Sequence, residues 1–373
     1  MQSCDDPRCE NLPPPILGEA SDGSYEGAIV PVFYNGLQFR AAIEEYFLDP
    51  LSSPFGSVIN CWDVSAVTDF SSAFSQQYDF NDRLDCWDTS NAVTMTGMFE
   101  GAISFNQPIE SWDVSNVQDM SLMFDGAESF NQPLNGWNVT RALKDMSLMF
   151  FMATSFNQPL DKWDVSGVVD MSEMFMGAIS FNQPLNSWNT SSLTNLFATF
   201  ATAESFNQPL DEWDVSNVVT LEHTFFLATN FDQPLDAWNV GQVTSMRGTF
   251  ADATSFNQSL CTWGEKMLAE QDDTTTTASS RETPVLDVTD MFQRTACMDT
   301  SNPVPGNASS TWCHKCESLN SFDENEVDGS AANEEDGFDD PSTAQPQQEA
   351  LVSSGARRNG GFFSIFKAFG MPP

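Results

Sequence analysis

Apolar residues recur along this chain with a fixed beat. Trp62, Trp87, Trp112 and Trp137 stand 25 residues apart, Trp163 follows after 26, and Trp188, Trp213, Trp238 and Trp263 return to 25. The extra residue falls in TRALKDM, Thr140 to Met146. Two rows of phenylalanine keep the same period. One runs through Phe105, Phe130, Phe156, Phe181, Phe206, Phe231 and Phe256, the other through Phe99, Phe124, Phe150, Phe175, Phe200, Phe225 and Phe250. The polar residues between them repeat too: SFNQPLDEWDVSNV from Ser205 nearly copies SFNQPIESWDVSNV from Ser104 and SFNQPLDKWDVSGV from Ser155. One such unit is too short to bury its own apolar side, so a period of this size implies coils stacked on one another.

Each coil can be read locally. SNVQDM, short and β-branched between polar bounds, predicts a strand of about three or four residues. MSLMFDGAESF places Met120, Met123, Phe124, Ala127 and Phe130 at helical spacing and predicts a short helix. NQPL turns, because proline lacks an amide donor, and WDVSN makes a second corner in which Asp113 can accept the amides that follow it. Stacking at about 4.8 Å would align the tryptophans and phenylalanines into a continuous core. It would also align Asn106, Asn131, Asn157, Asn182 and Asn207 into an amide ladder.

Eight complete units run from Trp62 to Thr262, and a degenerate ninth starts at Trp263 and recovers at Val288–Phe292. Before them, Phe39, Ile43 and Phe47 predict an amphipathic helix over residues 37–50, stopped at Asp49–Pro50, that covers the first coil. Residues 1–36 read as a disordered leader, 264–284 as an inserted loop, and the cysteine-containing segment to residue 316 as a C-terminal cap. The tail 317–373 reads as disordered, since Glu317 to Glu349 holds eleven acidic residues and no basic one.

Charge narrows the partners. With 53 acidic against 14 basic residues the net charge is −39, which repels nucleic acid and anionic lipid and favours cations, basic partners or plain solubility. No run of about 18 apolar residues predicts a membrane-spanning helix, and MQSCDDPRCENLPPP has no signal-peptide pattern.

The unit SFNQPLxxWDVSNVxxMSxMFxGA resembles the repeat of the BspA-like leucine-rich-repeat surface proteins, including their lipoprotein-type branch of unknown function. The resemblance covers about Trp62 to Phe292. It implies an α/β repeat solenoid, leucine-rich-repeat-like and right-handed, with about 25 residues per coil. It also implies a cell-surface or secreted location and, as in some bacterial members, adhesion to other proteins. It carries over no catalytic residue, and the family's signal peptide or anchor has no visible counterpart here.

The residues between the inward Val and Met positions are expected to form the binding face. These pairs are Thr68–Asp69, Val93–Thr94, Gln118–Asp119, Lys144–Asp145, Val169–Asp170, Thr194–Asn195, Val219–Thr220 and Thr244–Ser245. The plain alternative is a solvated strip, since no aromatic anchor stands in it. Cys61 and Cys86 hold the same repeat position on adjacent coils and are expected to pair. Cys4–Cys9 and Cys261–Cys297 are further pairings, and Cys313 and Cys316 read as a disulfide of the cap. A redox role for C-x-x-C would want a βαβ context, and zinc at Cys313, Cys316 and His314 would need a second ligand pair. The row Asp63, Asp88, Asp113, Asp164 and Asp214 could hold calcium, but Asn138, Asn189 and Asn239 interrupt it and turn capping explains both residue types. Of four N-x-S/T sequons, those at Asn138, Asn189 and Asn257 are expected to be shielded, leaving Asn307 as the glycosylation candidate.

With two histidines, His223 and His314, and nearly every polar group duplicated by the repeat, no catalytic constellation stands out. The reading is a monomeric, non-enzymatic, cofactor-free recognition or adhesion protein of the cell surface or medium, binding a protein or other macromolecule. A structural matrix or cell-wall component associated with calcium, and an intracellular scaffold, are the alternatives.

Overall fold

The computed structural model describes residues 6–9, 36–51, 53, 55–269, 286–305 and 310–316. Two α-helices, α1 (Gly36–Leu48) and α2 (Cys261–Ala269), and a 3-10 turn at Ile59–Cys61 are its helical elements. Between them the chain is a stack of coils built from turns. One column of parallel bridges joins the coils: Asp69, Thr94, Asp119, Asp145, Asp170, Asn195, Thr220, Ser245 and Asp287, each paired to the next. The expected strand thus shrinks to a single bridging residue. The cause is local: the side chain at that residue takes the amide two positions on, as in Ser121 N to Asp119 Oδ1 at 2.9 Å, and bends the chain away.

The expected helix over Met120–Phe130 is absent. Met123 N donates to Met120 O and Asp125 N to Leu122 O, at 3.2 and 3.1 Å, so the turns close over three residues. The intervening amides leave the coil: Leu122 N bonds Ser147 O, Phe124 N bonds Met149 O and Gly126 N bonds Phe151 O, at 2.8 to 2.9 Å. An α-helix would spend those same amides internally. Linked three-residue turns put apolar side chains three and four apart, which is why the sequence pattern imitates a helix. The turns need a left-handed backbone twice per coil, at Leu122 (φ 56°) and Gly126 (φ 65°) and their equivalents.

Inside, the aromatic rows stack. Trp87 and Trp112 lie 6.2 Å apart and Phe99 and Phe124 5.6 Å apart, ring centre to ring centre. Phe99 also stacks on Phe105 of its own coil at 4.0 Å. Each indole N–H reaches back to a carbonyl of the preceding coil, from Trp87 to Ile59 (2.8 Å) through to Trp263 to Leu235 (2.9 Å). The buried donors are thereby satisfied. The asparagine ladder is present, with Asn Oδ1 as its working atom. Asn131 Oδ1 accepts both the backbone amide of Asn157 and the side chain of Gln158, each at 3.0 Å.

Both ends of the stack are covered. α1 buries Phe39, Ala42, Ile43 and Tyr46 at positions i, i+3, i+4 and i+7. Phe39 meets Phe70 at 5.1 Å and Tyr46 meets Trp62 at 5.6 Å, ring edge to ring face. At the far end, Trp263 of α2 stacks on Trp238 at 6.2 Å, and Phe292 on Phe250 at 5.8 Å. The predicted loop therefore begins later than 264: residues 261–269 are α2, and 270–285 lie outside the described residues. Of the predicted leader, residues 6–9 belong to the body, where Asp6 is buried and takes Asn60 Nδ2 at 3.0 Å. Residues 317–373 and Asn307 lie outside the described residues.

The disulfides correct every pairing proposed from sequence that the described residues can test. Cys61 bonds Cys9, Cys261 bonds Cys316, and Cys297 bonds Cys313. Cys86 is disulfide-bonded as well, but not to Cys61. Equivalent side chains in a stack run parallel, whereas a disulfide needs Cβ vectors that converge. The bonds instead tie the flanking segments to the stack.

Candidate functional site

The bridge column brings the predicted binding strip onto one face. Thr68, Val93, Gln118, Lys144, Val169, Thr194, Val219 and Thr244 are all exposed along it. Beside them Asp69, Thr94, Asp119, Asp145, Asp170, Asn195, Thr220 and Ser245 are half-buried. Several of these groups are already engaged. Asp145 and Asp170 accept the amides of Ser147 and Ser172 at 2.9 and 2.8 Å, and Asn195 Nδ2 donates to Asp170 Oδ2 at 3.0 Å. Thr194 and Thr244 donate back to the carbonyls of Val169 and Val219 at 3.0 Å. Lys144 Nζ lies along the stack on the carbonyls of Arg141 and Gly167, at 2.9 and 3.2 Å. Asp69 pairs with Arg40 of α1 at 3.1 Å.

Next to the strip lies a second set of columns, buried to half-buried, that sequence reasoning missed. The turns after the bridge residue present Leu122, Leu148, Glu173 and His223 at equivalent places, and beside them Glu100, Asp125, Phe151, Met176 and Phe226. These columns do not repeat, while the core columns beneath them do. The signal was in the sequence as variation at fixed repeat positions, but the helix reading gave those positions the wrong faces. His223 sits between Phe226 and Phe197, at 5.4 and 6.3 Å between ring centres, with Nε2 3.7 Å from Glu222 Oε1. Burial lowers its pKa despite the adjacent Glu222, so the ring is neutral near pH 7. Asp125 is 8 % exposed and its Oδ1 has no hydrogen-bond partner. Burial, then the like charges of Glu100 and Glu173, push its carboxyl up to about 7. Glu173 is raised in the same way by burial and Asp170.

The opposite corner serves the turn. Asp63, Asp88, Asp113, Asp164 and Asp214 each accept the amide two residues on, at 2.9 to 3.1 Å, and Asn189 does so at 3.2 Å. Only an oxygen is used, so Asp and Asn interchange. The hydroxyl and amide of Ser90, Ser166 and Ser216 hold Asp88, Asp164 and Asp214 below the usual carboxylate range. The sequon asparagines Asn138, Asn189 and Asn257 are exposed, which corrects the shielding expected of them. Among the described residues no group of three or more His, Cys, Asp and Glu is placed to hold a metal ion. Among them no helix is long and apolar enough to cross a membrane.

A family model described as "Mycoplasma protein of unknown function, DUF285" matches residues 41–158, 139–226 and 186–286, so its successive matches overlap along the stack. Comparison with the curated proteins and with the solved structures returned no match.

Proposed function

The chain belongs to that Mycoplasma-described repeat family of unknown function, and from that premise we propose that it is a recognition or adhesion protein of the cell surface or extracellular medium. In this reading it is a leucine-rich-repeat-like, right-handed solenoid akin to the BspA-like proteins, it is not an enzyme, and it binds a protein or other macromolecule along its strip. One observation carries the proposal: a strictly repeating core supports an exposed face whose residues change from coil to coil. Core columns are constrained by packing. The exposed positions of the strip are under no such demand, which leaves them open to a specific partner. The three disulfides and the bonded Cys86 fit an oxidising compartment.

The test uses exposed strip residues that packing does not require. Val93, Val169 and Val219 are 38 %, 40 % and 47 % exposed. The triple variant Val93→Glu, Val169→Glu, Val219→Glu is compared with Asn138→Asp, Asn189→Asp, Asn239→Asp at the exposed corner, which adds the same charge and keeps the turn-capping oxygen. Binding of the labelled full chain to the surface and matrix of its source cells is expected to weaken about tenfold or more in the strip variant and to hold in the corner variant. Equal losses, or no saturable binding by the wild type, would remove the strip as the binding face.

A further inference from the structure

The column through Asp125 reads, coil by coil, Ser75, Glu100, Asp125, Phe151, Met176, Ala201, Phe226, Ala251. From Phe151 to Ala251 every member is apolar and at most 8 % exposed. The fold therefore accepts, and packing favours, an uncharged side chain at this place. Asp125 is buried to the same degree, with one carboxylate oxygen unpartnered. A carboxylate so placed needs a positive partner, yet the charges that act on it most are acidic, Glu100 and Glu173.

Glu100 stands at the equivalent position of the preceding coil, about 5 Å along the stack. On the Glu100 side of the pair the first coil supplies further oxygens. Ser75 Oγ donates to Glu100 Oε2 at 3.2 Å. A Cβ built on Gly97 would lie 3.3 Å from Glu100 Oε2 and 3.6 Å from Ser72 Oγ, and one on Gly101 would meet the Gln76 carboxamide. Gly97, Gly101 and Gly126, at φ 58°, 67° and 65°, place no side chain over this region. The fourth coil carries Leu148, Phe151 and Met152 at the same places. A set of carboxylate, hydroxyl and amide oxygens suits a hard cation.

We propose that Glu100 and Asp125 form the carboxylate pair of a site for a divalent cation of the calcium type on the turn face of the first three coils. The ion supplies the missing counter-charge, and at neutral pH its entry displaces the proton held by Asp125. This site is distinct from the Asp63–Asp214 corner row, whose carboxylates serve their own turns.

Melting of the EDTA-treated full chain with added CaCl2 tests this, against NaCl of equal ionic strength. Calcium is expected to raise the wild-type Tm with a half-effect near roughly millimolar concentration, as in weak extracellular sites. Asp125→Ala places there the residue found at Ala201 and Ala251, so it should fold and melt in EDTA no lower than wild type. Its response to calcium, and that of Glu100→Gln, should shift at least tenfold to higher concentration. Asp125→Asn gives the same reading should the alanine variant melt without cooperativity. An identical calcium response in all variants would assign the effect to the diffuse charge of −39 and overturn the site, as would no response in the wild type.

Discussion

Single residues in this protein are revealing where they break the repeat. Asp125 holds its proton to about pH 7 in the folded chain and would release it near 3.8 when unfolded. The folded state binds more protons across that window, so this group makes stability fall as pH rises from about 4 to 7. Glu173, also raised, adds to the same slope. Asp125→Asn in EDTA should flatten the slope and raise stability at pH 8 by on the order of 2 kcal/mol, read from urea midpoints at pH 5 and 8. An unchanged slope would mean that Asp125 is better solvated than its burial implies. The residue was visible in sequence as an acid. Its isolation was not, because burial at that position follows from a turn that resembles a helix in pattern.

At the scale of the element, the coil is held by ladders, and each ladder states its own substitution rule. The asparagine ladder uses only Oδ1. Asp232 occupies it without loss, taking Asn257 N and Gln258 Nε2 at 2.9 and 2.8 Å. Asn157→Asp should therefore cost under about 1 kcal/mol, whereas Asn157→Leu strands the amides of Asn182 and Gln183 and should cost about 1–3 kcal/mol. Trp188→Ala removes a buried indole stacked on Trp213 at 6.2 Å and should cost about 3–5 kcal/mol. Chemical denaturation of the three variants ranks them, and a reversed order would refute the ladder account. Both ladders were legible in the sequence, since a residue repeated at one register position meets its own copy. The connecting turns were not, because apolar spacing of three and four serves linked turns as well as a helix.

For the whole molecule, the open faces of the end coils are the weak points, and the disulfides secure their covers. Cys9–Cys61 holds the 6–9 segment, and Cys261–Cys316 with Cys297–Cys313 hold the segment around buried Trp312. Cys297→Ser with Cys313→Ser closes no loop and should lower stability by about 2–4 kcal/mol. Hydrogen exchange should show the loss concentrated in the last two coils rather than spread along the stack. Uniform loss would mean that the array melts as one unit. The amino-acid sequence by itself determined the period, the stacked aromatic core, the asparagine ladder and the identity of the cysteines that matter. These follow from which residues recur at one spacing, and stacking turns recurrence into contact. Only the tertiary structure decided the path of the turns, the disulfide partners and the isolation of Asp125. Those depend on where amides and Cβ vectors point in space, and a one-dimensional repeat carries no record of direction.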